Sequence, residues 1–148
     1  RGHGHIVNVA SAVGRIAVAG GATYSASKFA VVGFSEATRA ELGPRGVDVS
    51  VVLPTVVRTE LSAGISATRG VKPVAARDVA AVIASAIRRP RAELWVPQWA
   101  QTVTRTTGVL PRPLQATVAK ALDAEHVLTD VDQSARAAYE ARVRPPDS

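Results

Sequence analysis

The sequence has 148 residues, the usual length of one domain, and 47% of them are hydrophobic, which is enough to form a core. The absence of cysteine excludes disulfides, thiolate metal sites and cysteine nucleophiles, and it is compatible with a cytoplasmic location. The net charge of +6 comes from scattered cations with few aromatic residues, a pattern that does not favour nucleic-acid binding. No apolar run approaches the roughly 20 residues of a membrane span. Because methionine is absent even at position 1, we interpret the chain as a piece of a longer protein.

The first element is an apolar run at residues 4–10, rich in β-branched side chains. It predicts a strand that is buried on both faces of a parallel sheet. A glycine-containing loop at residues 12–21 leads to a helix that we expect to be capped by Thr23 and to end at Leu42. The apolar residues of this helix do not keep to one stripe, so we expect it to pack on the sheet and on a second subunit.

Residues 47–53 predict a second strand, and a strand–helix–strand crossover of this length predicts that the two strands are parallel. Residues 54–73 read as a long loop with a short helix near 59–64. Beyond it the pattern predicts a helix at 75–89, a strand at 92–96, and helices at 99–108, 113–122 and 131–142.

Chemistry is indicated by Tyr24 and Lys28, which lie one helical turn apart on the same face. A phenol gives up its proton reluctantly at neutral pH, but a cation within about 4–6 Å favours the phenolate. Ser11 follows the first strand and could polarise the oxygen that exchanges the proton. Since ligands bind at the carboxyl ends of parallel strands, Ser11, the start of the helix and the segment 54–59 are expected to converge.

These residues resemble a known family. Asn8-Val9-Ala10-Ser11, followed after thirteen positions by Tyr24-Ser25-Ala26-Ser27-Lys28, is similar to the signature of single-domain short-chain dehydrogenase/reductases. The segment from Pro54 to Thr59 resembles the family's P-G-x-V-x-T segment, with Thr55 where glycine is usual. The resemblance covers residues 4–97.

The resemblance implies a doubly wound, Rossmann-like α/β fold in which residues 1–97 are the catalytic half of an NAD(P)-binding domain. Residues 98–148 would be its helical carboxy-terminal extension, with a flexible tail at 143–148. The glycine-rich cofactor turn would precede residue 1, so the chain alone should bind a dinucleotide poorly. A homo-oligomer packed through the Tyr24 helix is also expected.

The same resemblance implies hydride transfer between NAD or NADP and a small carbonyl or secondary alcohol substrate. Tyr24 would be the general acid/base, Lys28 would assist it and bind the nicotinamide ribose, and Ser11 would orient the substrate. The cofactor would also contact Pro54, Val57 and Thr59.

Other interpretations stay open. The chain could be a catalytically idle dimerisation or binding module, whereas a sugar-nucleotide epimerase is disfavoured by the context of the Tyr-Lys pair. Ser11 and Thr59 could be local caps, and Asn8 could tie the strand end to a neighbouring loop. His3 and His5 lack a third metal ligand, so a metal site is not favoured. Trp95, Trp99 and nearby arginines are either core and pocket walls or a membrane-surface patch.

Overall fold

The computed structural model describes residues 2–65 and 71–121, together with Asp132, Ser134, Ala137 and Ala141. The strands are β1 (Gly4–Val9), β2 (Val47–Pro54), β3 (Val57–Arg58), β4 (Val74–Ala75) and β5 (Glu93–Val96). The α-helices are α1 (Ala22–Leu42), α2 (Ala76–Arg88), α3 (Trp99–Gly108) and α4 (Arg112–Ala121), and 3-10 turns span Ala12–Gly14, Gly43–Arg45 and Glu60–Ser62. The helix predicted at 131–142, apart from those four residues, and the tail at 143–148 lie outside the described residues.

Three strands form a parallel sheet in the order β1-β2-β5. The register pairs Gly4 with Val47 at one end of β1 and Val9 with Val52 at the other, and it pairs Pro54 with Val96. The parallel crossover predicted from the sequence is therefore confirmed. β3 and β4 form a separate short parallel pair, with β3 inside the predicted loop 54–73 and β4 directly after it.

Side chains of the central strand β2 alternate between two cores. Val51 and Leu53 pack on one face with Val32 of α1, and this cluster also includes Trp95 and Ala100. On the other face Val52 and Val96 pack with Val79 of α2. Helices α1 and α3 therefore cover one face of the sheet and α2 covers the other, which confirms the predicted α/β class.

β1 is not buried on both faces, and this prediction was wrong. Ile6 is 38% exposed and Val9 is 46% exposed. In the described residues β1 pairs with β2 alone, and the core clusters are centred on β2. Continuous hydrophobicity identified the strand correctly but did not reveal its position at the margin of the described sheet.

The start of α1 also differs from the prediction. Gly21 occupies the N-cap position without a side-chain cap, while Thr23 lies inside the first turn and is exposed. Ser25, also in the first turn, binds the preceding loop: its buried hydroxyl accepts a hydrogen bond of 3.3 Å from the backbone N–H of Val18. This bond ties the preceding loop to the helix that carries Tyr24.

Candidate active site

Tyr24 and Lys28 lie together on the first two turns of α1. The ammonium nitrogen of Lys28 is 5.6 Å from the centroid of the Tyr24 ring, within the range of a cation–π interaction. Tyr24 is 44% exposed, and its hydroxyl makes no hydrogen bond to any residue that the structure describes. Lys28 is half-buried and has no acidic partner in the same part of the chain. Both polar groups are thus available to a ligand.

Ser11 lies just past the end of β1 and is 6% exposed. Its Oγ accepts a hydrogen bond of 3.2 Å from the N–H of Val13 and so caps the turn Ala12–Gly14. The same hydroxyl donates to the carbonyl oxygen of Pro54 over 3.4 Å, which is long for an O–H···O hydrogen bond. Ser11 is therefore a local cap in the structure, as one interpretation of the sequence predicted. Its hydroxyl also joins the ends of β1 and β2.

Gly14 brings the Ser11 turn against α1, and sequence reasoning did not single it out. A Cβ atom at this position would lie 2.8 Å from the carbonyl oxygen of Lys28 and 2.9 Å from Cγ2 of Val32. Only a residue without a side chain fits between the turn and the helix backbone at this distance. Gly14 therefore links the loop that carries Ser11 to the turn of α1 that carries Lys28.

Arg15 follows this glycine and was also missed. Its guanidinium forms ion pairs with Glu36 of α1 and, at 3.5 Å, with Glu93 of β5. Burial of the guanidinium would lower the pKa of Arg15, but the hydrogen bonds and negative charges of the two glutamates outweigh it and raise that pKa. The loop after β1 is therefore fixed to both a helix and a strand by one cation that stays charged.

Asn8 is structural, as expected, but its partner is a helix rather than a loop. Its side-chain amide donates a 2.9 Å hydrogen bond to Oγ of Ser35, and this fully buried hydroxyl in turn donates to the carbonyl oxygen of Val31. The chain of bonds attaches β1 to the middle of α1. It lies on the helix well beyond the turns that carry Tyr24 and Lys28.

The segment after β2 holds the residues that were predicted to contact a cofactor. Thr59 occupies the N-cap position of the turn Glu60–Ser62, and its backbone N–H donates to Oγ of Ser62 over 3.1 Å. Oγ of Ser62 also donates to the carbonyl oxygens of Val57, over 2.6 Å, and of Thr59, over 2.9 Å. These bonds hold the segment in shape through the backbone of Thr59, whereas its hydroxyl makes no side-chain capping bond.

Thr55, the departure from the family pattern, donates its N–H to the carbonyl oxygen of Val96 over 2.9 Å. This bond continues the pairing of β2 with β5 by one residue past Pro54. The segment therefore leaves the sheet only after Thr55.

Two open clefts among the described residues do not contain the predicted catalytic groups. One of about 370 Å³ is bordered by Arg58, Lys72 and Trp99, and a second of about 430 Å³ lies between α2 and β5. Tyr24, Lys28 and Ser11 line neither, so the pair on α1 faces open space in this part of the chain. Within the described ranges no cluster of three or more His, Asp or Glu side chains could hold a metal ion, and no helix could cross a membrane.

Comparison with known proteins agrees with the fold. Residues 1–70 match the family model described as short chain dehydrogenase. The chain is 52% identical over 60 residues to D-threitol dehydrogenase of Mycolicibacterium smegmatis, a match that covers 40% of this chain and 23% of the relative. The chain spans about a quarter of the length of the curated relatives that it matches first, with shares of 23% to 25%.

Two solved structures are also similar. A short chain dehydrogenase from Burkholderia cenocepacia in complex with NADP superposes with a TM-score of 0.67 at 30% identity, over 78% of this chain and 47% of that one. 4-Hydroxyisoleucine dehydrogenase complexed with NADH superposes with a TM-score of 0.51 at 27% identity, over 62% of this chain and 43% of that one. The sequence match and the shared parallel α/β fold together identify residues 1–70 as part of the short-chain dehydrogenase/reductase family.

Proposed function

We propose that this chain carries the proton-transfer machinery of an NAD(P)-dependent oxidoreductase that acts on a small carbonyl or secondary alcohol. The observation that carries the proposal is the pair on α1: Lys28 Nζ lies 5.6 Å from the Tyr24 ring, and neither polar group is occupied by a described residue. Membership of an oxidoreductase family supports the same interpretation.

In this mechanism Tyr24 is the general acid/base. It donates its phenolic proton to the carbonyl oxygen during reduction and accepts a proton from the alcohol during oxidation. Lys28, one helical turn along, would stabilise the phenolate that remains, because an ammonium attracts a negative charge. The pair is thus proposed to move one proton to and from the substrate oxygen.

Ser11 would orient that oxygen. Its hydroxyl donates to the Pro54 carbonyl oxygen over 3.4 Å, which makes a weak hydrogen bond. The hydroxyl can therefore exchange this bond for a shorter one to the substrate oxygen. The Val13 N–H would continue to hold Oγ in place during the exchange. Capping and substrate orientation are thus compatible functions of one hydroxyl.

The cofactor is proposed to be NAD or NADP, by analogy with the NADP and NADH complexes of the two similar structures. When bound, the nicotinamide supplies or accepts the hydride. The half-buried ammonium of Lys28, which lacks an acceptor in the described residues, fits the hydroxyls of the nicotinamide ribose. Pro54 and Val57 would contribute backbone groups, and Thr59 would contribute its hydroxyl, which makes no side-chain capping bond.

We further propose a homo-oligomer that packs through α1. Phe29 is 44% exposed and Phe34 is 63% exposed on this helix, while Val32 and Ser35 face the sheet. Burying two phenylalanine rings against a second copy would stabilise the assembly. Sedimentation velocity should show a dimer or larger species that Phe34→Ser weakens.

A cytoplasmic location remains a prediction.

The direct test is turnover by the protein that carries this chain, with NADPH or NADH and a panel of aldehydes, ketones and secondary alcohols. Tyr24→Phe keeps the ring beside Lys28 but removes the transferable proton. Since positioned acid/base groups contribute about 10² to 10⁴ in rate, we expect kcat to fall by about that factor with unchanged cofactor affinity. Thr106→Val, at an exposed position of α3, is a control for the loss of one hydroxyl. Equal turnover by Tyr24→Phe and wild type would instead favour the idle dimerisation module.

A further inference from the structure

The helical segment after β5 presents its large apolar side chains outward. Trp99 and Val103 are neighbours at helical spacing and are 47% and 42% exposed, whereas Ala100 is buried and Thr104 is half-buried. Packing on the sheet would favour the opposite orientation, with the tryptophan inside. Exposed apolar residues continue into the following turn and helix, so the group comprises Trp99, Val103, Val109 and Leu114. We call this group the α3–α4 surface.

The charge around this surface is predominantly positive, although Asp78 borders the same cleft as Trp99 and Glu93 contacts Arg105. Between residues 97 and 121 the sequence contains no aspartate or glutamate, while it contains Arg105, Arg112 and Lys120. Arg105 remains 67% exposed although it lies 3.7 Å from Glu93. That contact places the carboxyl-terminal half of α3 beside the start of β5, where the exposed cations Arg88, Arg89 and Arg91 precede the strand. The segment therefore combines outward apolar residues with an excess of cations over acidic residues.

We propose that the α3–α4 surface docks on an anionic lipid bilayer. Tryptophan favours the boundary between headgroups and acyl chains, and arginine and lysine favour the anionic headgroups. Helices of ten residues extend only about 15 Å, so α3 and α4 can lie in the interface but cannot cross the bilayer. A second copy of the chain is a poorer occupant, because a symmetric contact would bring together two surfaces on which cations outnumber acidic residues. The docking is independent of the proton transfer proposed above.

Trp95 is not part of this surface. It is 5% exposed, belongs to the core cluster and donates its indole N–H to Glu93 over 2.8 Å. Of the two interpretations left open by the sequence, the core wall is the one that Trp95 fits, while Trp99 borders the cleft of about 370 Å³ and is exposed. The buried Trp95 serves as an internal reference in fluorescence experiments.

Vesicle co-sedimentation tests the proposal. We expect the protein to bind vesicles of phosphatidylcholine with about 30% phosphatidylglycerol, to bind pure phosphatidylcholine much less, and to dissociate as salt rises from about 0.1 to about 0.5 M. The double variant Trp99→Ser/Val103→Ser should lower the partition coefficient about tenfold or more, because it removes the inserted apolar side chains. Removal of a cation by Lys120→Gln should lower it about fivefold.

Ile87→Ser is the matched control, since Ile87 is 62% exposed but lies on α2. It should leave the partition coefficient unchanged, and thermal unfolding should show that all variants remain folded. Tryptophan emission should shift to shorter wavelength with anionic vesicles in wild type but not in Trp99→Phe. Absence of binding to anionic vesicles, or equal binding by the double variant, would overturn the proposal. So would conversion of an oligomer to a monomer by the double variant with no change in lipid binding.

Discussion

The contact at Gly14 gives a quantitative prediction. An alanine Cβ would lie 2.8 Å from the Lys28 carbonyl oxygen, about 0.6 Å inside the shortest ordinary contact of 3.4 Å, and 2.9 Å from the Val32 methyl. The carbonyl belongs to helix backbone and cannot rotate away, so the turn or α1 must move. Overpacking of this kind costs about 1–3 kcal/mol. Alanine also restricts the unfolded chain, which returns about 0.4–1 kcal/mol. We expect Gly14→Ala to lower the free energy of unfolding by about 1–2 kcal/mol.

Urea denaturation followed by far-UV circular dichroism measures this difference. Gly33→Ala is the control, because Gly33 is exposed on α1 and a Cβ there would meet nothing within 4 Å. Alanine is the better helix former, so this variant should gain up to about 1 kcal/mol. If Gly14→Ala proved as stable as Gly33→Ala, the close approach of the turn to α1 would be disproved. In the active protein, Gly14→Ala should also reduce kcat, because it displaces the Ser11 turn from Lys28.

Three further substitutions test the packing around the site, each by the midpoint and slope of urea unfolding. Leu53→Ala empties a fully buried position of β2 and should cost about 2–5 kcal/mol; a loss below about 1 kcal/mol would contradict its place in the core. Ser35→Ala leaves the Asn8 amide without its hydrogen-bond partner and should cost about 1–3 kcal/mol, whereas a neutral effect would mean that water replaces the hydroxyl. Arg15→Gln removes partly exposed ion pairs with Glu36 and should cost less than about 1 kcal/mol, a difference that must shrink in about 0.5 M salt if charge attraction is its cause.

Much of the fold was predictable because it depends on local pattern. β1 begins where the apolar run begins, and α3 has the bounds that its periodicity predicted. Helix caps are less regular, since Gly21 rather than Thr23 precedes α1. The burial of β1 was not predictable, because it depends on which elements lie beside the strand and not on the strand's own residues.

The candidate site likewise contains contacts that the sequence predicted and contacts that it did not. The spacing of Tyr24 and Lys28 predicted their contact, because helix geometry fixes the relation of residues one turn apart. Nothing in the spacing of Gly14 and Arg15 indicated that they bind the loop to α1 and β5, since these contacts join residues distant in sequence. The roles of Ser11 and Thr59 in catalysis and cofactor binding stay predictions; both occupy N-cap positions, but only Ser11 caps its turn through the side chain.

The central position of β2 has a consequence for the motions of the protein. β2 is hydrogen-bonded to β1 on one side and to β5 on the other, and Val51 and Val52 are almost completely buried. Amide protons held in this way exchange with solvent only when the whole sheet opens, whereas those at the ends of exposed helices exchange through local fraying. This slowly exchanging strand ends at Pro54, whose carbonyl oxygen accepts the hydrogen bond from the Ser11 hydroxyl. We therefore expect the backbone beside Ser11 to stay rigid even while the surrounding loops fluctuate.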